Sequence, residues 1–200
     1  MSQNPPLIDP AHTALLVMDA QPSTTANLPD REAVISRLAD TIAIARRHGI
    51  QIAYVRAAFV DNEYAQIKPT NKLLGPLAGM AAQRPLHKDD ASTAVLPELA
   101  PQPGDIVVRH TRIGAFSTSD LEQQLIATGI DTLVLTGFST SGVVLSTLRE
   151  AIDHDWRVFV ISDATADPQA DVHQILTGRV FPTHAFVITA AEFDALLPHL

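Results

Sequence analysis

The chain has no cysteine at any of its 200 positions. That removes disulfides, thiolate metal sites and thiol nucleophiles, although it does not by itself assign a compartment. Positive charge is also scarce, with 14 Lys and Arg against 22 Asp and Glu and a formal charge of −8. The cations are scattered rather than striped, which argues against nucleic acid or an anionic membrane surface as partner. No apolar run approaches eighteen residues, and MSQNPPLIDP lacks the basic-then-apolar pattern of a targeting segment. These absences lead us to expect a soluble, cytoplasmic protein that handles small molecules. At 46% hydrophobic residues, positions 1–200 suit one domain with a real core.

What is present alternates between strand and helix patterns. Thr13 to Met18 is an apolar run typical of a strand buried on both faces, and it ends at Asp19. Asp30 onward carries Val34, Leu38, Ile42 and Ala45 at helical spacing and stops at Gly49, and Ile50 to Val55 reads as a second strand. Ala57 to Pro103 holds six prolines, which marks a lid or interaction segment with short helices around Lys72 to Ala82. Gly104 to Arg109 is a third strand ending at His110, and Ser119 to Thr128 a helix with Ser119 and Glu122 in capping-box spacing. A fourth strand, Thr132 to Thr136, stops at Gly137, and helical spacing resumes from Gly142. Trp156 to Ser162 is the fifth strand, Asp167-Pro168 starts a helix that contains His173, and His184 to Ile188 is the sixth strand. Thr189 to Glu192 is a capping box opening a terminal helix. This order predicts an α/β fold: a doubly wound, mostly parallel six-stranded sheet with helices on both faces. Its ligand crevice would lie at the carboxyl ends of the strands, where Asp19, His110 and the turn from Phe138 to Val143 should meet.

Gly137, Thr140 and Val144, with Thr147, Arg149, Glu150 and Ala151, resemble the signature of the isochorismatase-like cysteine hydrolases, as does Asp163-Ala-Thr-Ala-Asp167. The resemblance runs from Leu15 to about Phe193. It implies that Asp19, followed by Ala20 and Gln21, stands at the family's catalytic aspartate. The family pattern G-x-x-T-x-x-C-V places its nucleophile where this chain has Val143, and the pattern Lys, three residues, Ser-Ala-Phe places its lysine at His110. An isopropyl group cannot attack a carbonyl, so a thioester mechanism is excluded here. The resemblance further implies a cis Phe138–Ser139 peptide and a homo-oligomer, and no cofactor is called for. Some relatives hold a metal near the long segment, but Asp61, Glu63 and His87 do not form a ligand set, and no metal is expected.

Three readings follow. In the first, Asp19 is a general acid or base assisted by His110, and the enzyme is a non-covalent hydrolase of a small cyclic or unsaturated metabolite. Amides near Ser139 and Thr140 would bind a developing anion, and Phe116, Phe138, Gly142 and Val143 would form the rest of the substrate pocket. In the second, the protein is a catalytically silent binding or scaffold member of the family. In the third, Ser139, Thr140 or Ser141 is a nucleophile, which requires a base within hydrogen-bond reach. Residue by residue, Asp19 could instead cap a turn before Pro22, His110 could simply hydrogen-bond in the pocket wall, and His173 reads as a surface helix residue.

Overall fold

A computed structural model describes residues 4–199. Six parallel strands form one sheet in the order β3-β2-β1-β4-β5-β6. They are β1 (Thr13–Met18), β2 (Gln51–Ala57), β3 (Ile106–His110), β4 (Thr132–Phe138), β5 (Arg157–Ala166) and β6 (Phe186–Ile188). The helices are α1 (Pro22–Thr25), α2 (Arg31–Arg47), α3 (Gly75–Gly79), α4 (Leu121–Ala127), α5 (Leu145–Asp153), α6 (Ala170–Ile175) and α7 (Ala190–Ala195).

β1 shows why the sheet needs two covering layers. All six of its residues are buried, and because side chains alternate along a strand they feed two separate cores. Leu15 and Val17 join Leu38, Ile42 and Phe193 under α2 and α7. Ala14, Leu16 and Met18 join Leu121, Leu125, Leu148 and Ala151 under α4 and α5. The strand order reverses direction at the β1–β4 pair, which is the topological switch point where open parallel sheets bind ligands.

The register puts the strand ends level. Met18 pairs with Val55 on one side and Gly137 on the other, and Ala57 pairs with His110. Gly137 is required there: its φ is 116°, and a Cβ would collide with the Met18 carbonyl oxygen. Several boundaries differ from the sequence reading for local reasons. Asp167 does not cap a helix at once. Its Oδ1 accepts the Gln169 N–H, while Oδ2 accepts the Ser141 N–H at 2.8 Å, and α6 begins only at Ala170. Ser119 does not form a capping box with Glu122: its hydroxyl donates to the Ala115 carbonyl, and Glu122 reaches His154. The Thr189–Glu192 capping box is present in full. Among the described residues no helix is long and apolar enough to cross a membrane.

Candidate active site

Asp19 follows β1 with φ 51°, a left-handed conformation that aspartate tolerates better than most residues. Its amide donates to the Val55 carbonyl at 2.8 Å, and its carbonyl accepts from Gln21 N–H and from the Thr24 hydroxyl. The side chain is thereby turned toward β2 and β3. Asp19 Oδ1 accepts the Ala57 N–H at 2.9 Å and lies 2.8 Å from His110 Nε2. Both residues are buried, His110 at 3% exposure and Asp19 at 6%.

His110 Nδ1 faces the Arg112 carbonyl oxygen. A carbonyl only accepts, so Nδ1 carries a hydrogen, and the Nε2–Oδ1 contact then holds one further proton, whichever of its two atoms bears it. Burial is the largest single influence on His110 and acts to lower its pKa. The charge and hydrogen bond of Asp19, the Arg112 carbonyl and Glu150 together outweigh it, and the net result is a raised value.

Gln21 is a supporting residue that sequence reasoning noticed only as part of a motif. Its amide oxygen also accepts the Ala57 N–H at 2.8 Å, and its nitrogen donates to the carbonyls of Ala57 (3.1 Å) and Thr93 (2.7 Å). One buried side chain thus fixes the end of β2 and straps the long 57–103 segment against the site.

The opposite wall is the turn after β4. The Phe138–Ser139 peptide is cis, as the resemblance implied. Residues Thr140–Val144 form a single π-helical turn that leads into α5, with Gly142 at φ −98°, ψ −106° inside it. Such turns recur at functional sites. Two side chains from the β5–α6 corner hold this turn: Asp167 on the Ser141 amide, and His173, whose Nδ1 is 2.8 Å from Thr140 Oγ1. The half-buried His173 is thus part of the support of the site, and burial lowers its pKa against a smaller opposing effect of Asp167. Proline at 168 and helical periodicity made it look like a surface residue, and only the tertiary corner reveals its partner.

A cavity of about 300 Å³ lies between these walls. Asp19, His110, Phe138, Ser139, Gly142 and Val143 line it, joined by Thr24, Ala57, Leu74, Arg112, Ile113 and Pro168. Two expected pocket residues are elsewhere. Phe116 is a core residue 6.4 Å, centroid to centroid, from the His154 ring. Thr140 is fully buried behind the turn, so although His173 gives it a base within reach, its hydroxyl is not presented to the cavity. Neither the Ser139 nor the Thr140 amide has an acceptor among the described residues. A larger groove of about 500 Å³ between α2 and residues 97–102 lies apart from all of these side chains. Asp61 and Glu63 are each engaged by an arginine, Arg84 and Arg109.

A doubly wound sheet with Asp19 at the end of β1, His110 at the end of β3 and the 138–143 turn after β4 is the arrangement that the resemblance implied, with Val143 where its pattern has cysteine. The isochorismatase domain family matches residues 13–192, and the chain belongs to that family. Lacking cysteine, it is a hydrolase-like member without a cysteine nucleophile. It is 35% identical over 188 residues to the phenazine biosynthesis protein PhzD of Pseudomonas fluorescens, covering 92% of this chain and 86% of that protein. It is 30% identical over 214 residues to the ureidoacrylate amidohydrolase RutB of Methylobacterium radiotolerans, covering 96% and 82%. An isochorismatase family protein from Burkholderia thailandensis superposes with a TM-score of 0.81 at 29% identity, over 96% of this chain and 97% of that one.

Proposed function

We propose that the protein hydrolyses a small unsaturated ether, of the kind present in isochorismate, by proton transfer from the Asp19–His110 pair and without a covalent intermediate. The observation that carries this reading is the buried 2.8 Å contact between Asp19 Oδ1 and His110 Nε2 at the floor of an open cavity whose nucleophile position is Val143. Amide hydrolysis by the family's thiol route needs an attacking atom that this chain lacks. A vinyl ether needs only a proton donor and water.

The pair gives its proton to the terminal vinyl carbon, and the C=C electron pair forms the new C–H bond. The ether oxygen shares the resulting positive charge as an oxocarbenium. Water then adds to the oxygen-bearing carbon of the oxocarbenium while the deprotonated pair takes one of its hydrogens, restoring the starting state. The hemiketal collapses to an alcohol and a ketone, balancing the addition of one water. Val143, Phe138 and Ile113 keep the reacting carbon in apolar surroundings, where a carboxylate's field acts at low dielectric. The free amide and hydroxyl of Ser139 offer donors to an oxygen that gains electron density as the hemiketal breaks down.

Self-association, supported by the resemblance to the family, and a cytoplasmic setting complete the proposal. A clean ~21 kDa monomer in sedimentation at micromolar concentration would remove the first. For the activity, turnover of enol ethers should be followed by release of the ketone product, in the unmodified protein and in Asp19→Asn. Turnover that survives Asp19→Asn undiminished refutes the mechanism. Ligand binding with no turnover of any vinyl ether, amide or cyclic imide favours a silent binding protein instead.

A further inference from the structure

Arg112 lines the cavity and is the one permanently charged cation among the described residues that do so. Its guanidinium contacts only neutral acceptors: the Thr111 carbonyl at 2.7 Å, the Thr111 hydroxyl at 3.4 Å and the Gln66 carbonyl at 3.2 Å. It makes no ion pair among the described residues. Glu63, near enough to feel its charge, is already held in a two-pronged pair by Arg109 at 3.0 and 3.3 Å. The cavity's own carboxylate, Asp19, is engaged by His110. A guanidinium has five N–H donors in a planar fork, so three contacts leave donors free, and its charge does not titrate away.

We infer that Arg112 binds a carboxylate on the substrate, so that the site selects small planar monoanions. The placement favours this over a neutral ligand. The Arg112 carbonyl accepts from His110 Nδ1, so Arg112 and the proton-transferring pair belong to adjoining parts of the cavity wall. A carboxylate held at Arg112 puts the remainder of a small molecule against Asp19 and Val143 within the 300 Å³ available. A second anionic group would meet Asp19 and a chain of net charge −8, without a second permanent cation to receive it.

The inference rests on the cavity being the reaction site, and its test does not depend on turnover. Binding of cyclohex-1-ene-1-carboxylate and of its uncharged primary amide should be compared by ligand-observed NMR titration. The unmodified protein should bind the carboxylate at least about ten-fold more tightly, a preference that weakens with added salt. Arg112→Gln should bring the two ligands within about two-fold by weakening only the carboxylate, and Arg112→Lys, which keeps the charge but loses the fork, should fall between. The lysine variant also guards against a loop disturbed by the glutamine. Equal binding of both ligands, binding of neither, or a preference that persists in Arg112→Gln overturns the inference. Asp19→Asn supplies the separation: a retained or increased carboxylate preference with turnover unaffected would sink the mechanism while leaving the anchor standing.

Discussion

Replacing Asp19 by asparagine should reverse the sign of the pH dependence of stability near neutrality, and the hydrogen bonds at the site say why. In the unmodified protein His110 Nδ1 donates to the Arg112 carbonyl and the Nε2–Asp19 contact holds a second proton, so folding favours the protonated imidazole and His110 titrates above its ordinary value. Such a group contributes stability that is complete below the unfolded histidine pKa of about 6.5 and is lost as pH rises through the folded value. Asp19→Asn removes the charge. The new amide then does best by donating to a neutral Nε2, and the Ala57 N–H keeps an acceptor because Gln21 Oε1 already lies 2.8 Å away. His110 becomes a buried neutral imidazole, and burial lowers its pKa. Its contribution is now complete above about pH 6.5 and lost as pH falls. The exchange of one charge-assisted bond for a neutral one should cost about 1–3 kcal/mol, which a domain of this size survives. Urea unfolding of both proteins across pH 5.5–8.5 gives the difference directly, because the other histidines cancel in the subtraction. Equal slopes in the two proteins would mean that Asp19 and His110 do not share a proton. Turnover should fall at least about a hundred-fold in the variant, the usual scale of a lost acid–base group.

Val143→Cys should create a thiol that iodoacetamide modifies, yet with little amidase activity unless His110→Lys is added to supply a permanent cation; strong amidase activity in the single variant would contradict the role assigned to His110. Gly137→Ala should destabilise by more than about 3 kcal/mol in denaturant titration, since φ is 116° and the new methyl meets the Met18 backbone; a change under about 1 kcal/mol would refute the close approach. His173→Ala should lower turnover while altering the fold's far-UV signature little, because the side chain steadies Thr140 rather than touching the cavity. The neutral His173 is the form its burial favours, so that support should be complete above about pH 6.5 and weaken as pH falls, and an acid-side loss of activity absent from His173→Ala would report it.

The sheet was legible because continuous apolar runs and strand-helix alternation are local signals. Thr13 to Met18 reads as a doubly buried strand and is one. The meeting of Asp19, His110 and the 138–143 turn followed from topology, since parallel strands must end on one edge. Side-chain destinations were less accessible. Nothing in Phe116 distinguishes a core aromatic from a pocket one, and the loop after β3 decides it by turning Ile113 and Arg112 to the cavity instead. Arg112 carries no local signal that sets it apart, and its lack of an acidic partner among the described residues is a property of the tertiary structure. Asp167 looked like a helix cap because Asp-Pro is a strong local signal, but the Ser141 amide, 26 residues away, takes one of its two oxygens.

The departures from the family pattern support one another chemically. A thiol nucleophile needs a fixed positive charge to be a thiolate, and with valine at 143 that need is gone. On the proposed reading, a histidine at 110 then does what a lysine does poorly, which is to share a proton with Asp19. Gly114, where the pattern has serine, fits the same logic. The Glu150 carboxylate fills the space a side chain there would need, reaches the Phe116 amide at a long 3.5 Å, and adds negative charge that raises His110 further. A site built for covalent attack requires separate, permanently charged groups. This one has an imidazole that can titrate, an acid in contact with it and a carboxylate behind both, the arrangement on which the proposed proton transfer rests. Glu150→Gln tests the last link, because it should lower the pH at which His110 loses its proton without touching the cavity. An unchanged alkaline limb in the pH–rate profile would show that Glu150 only fills space beside Gly114.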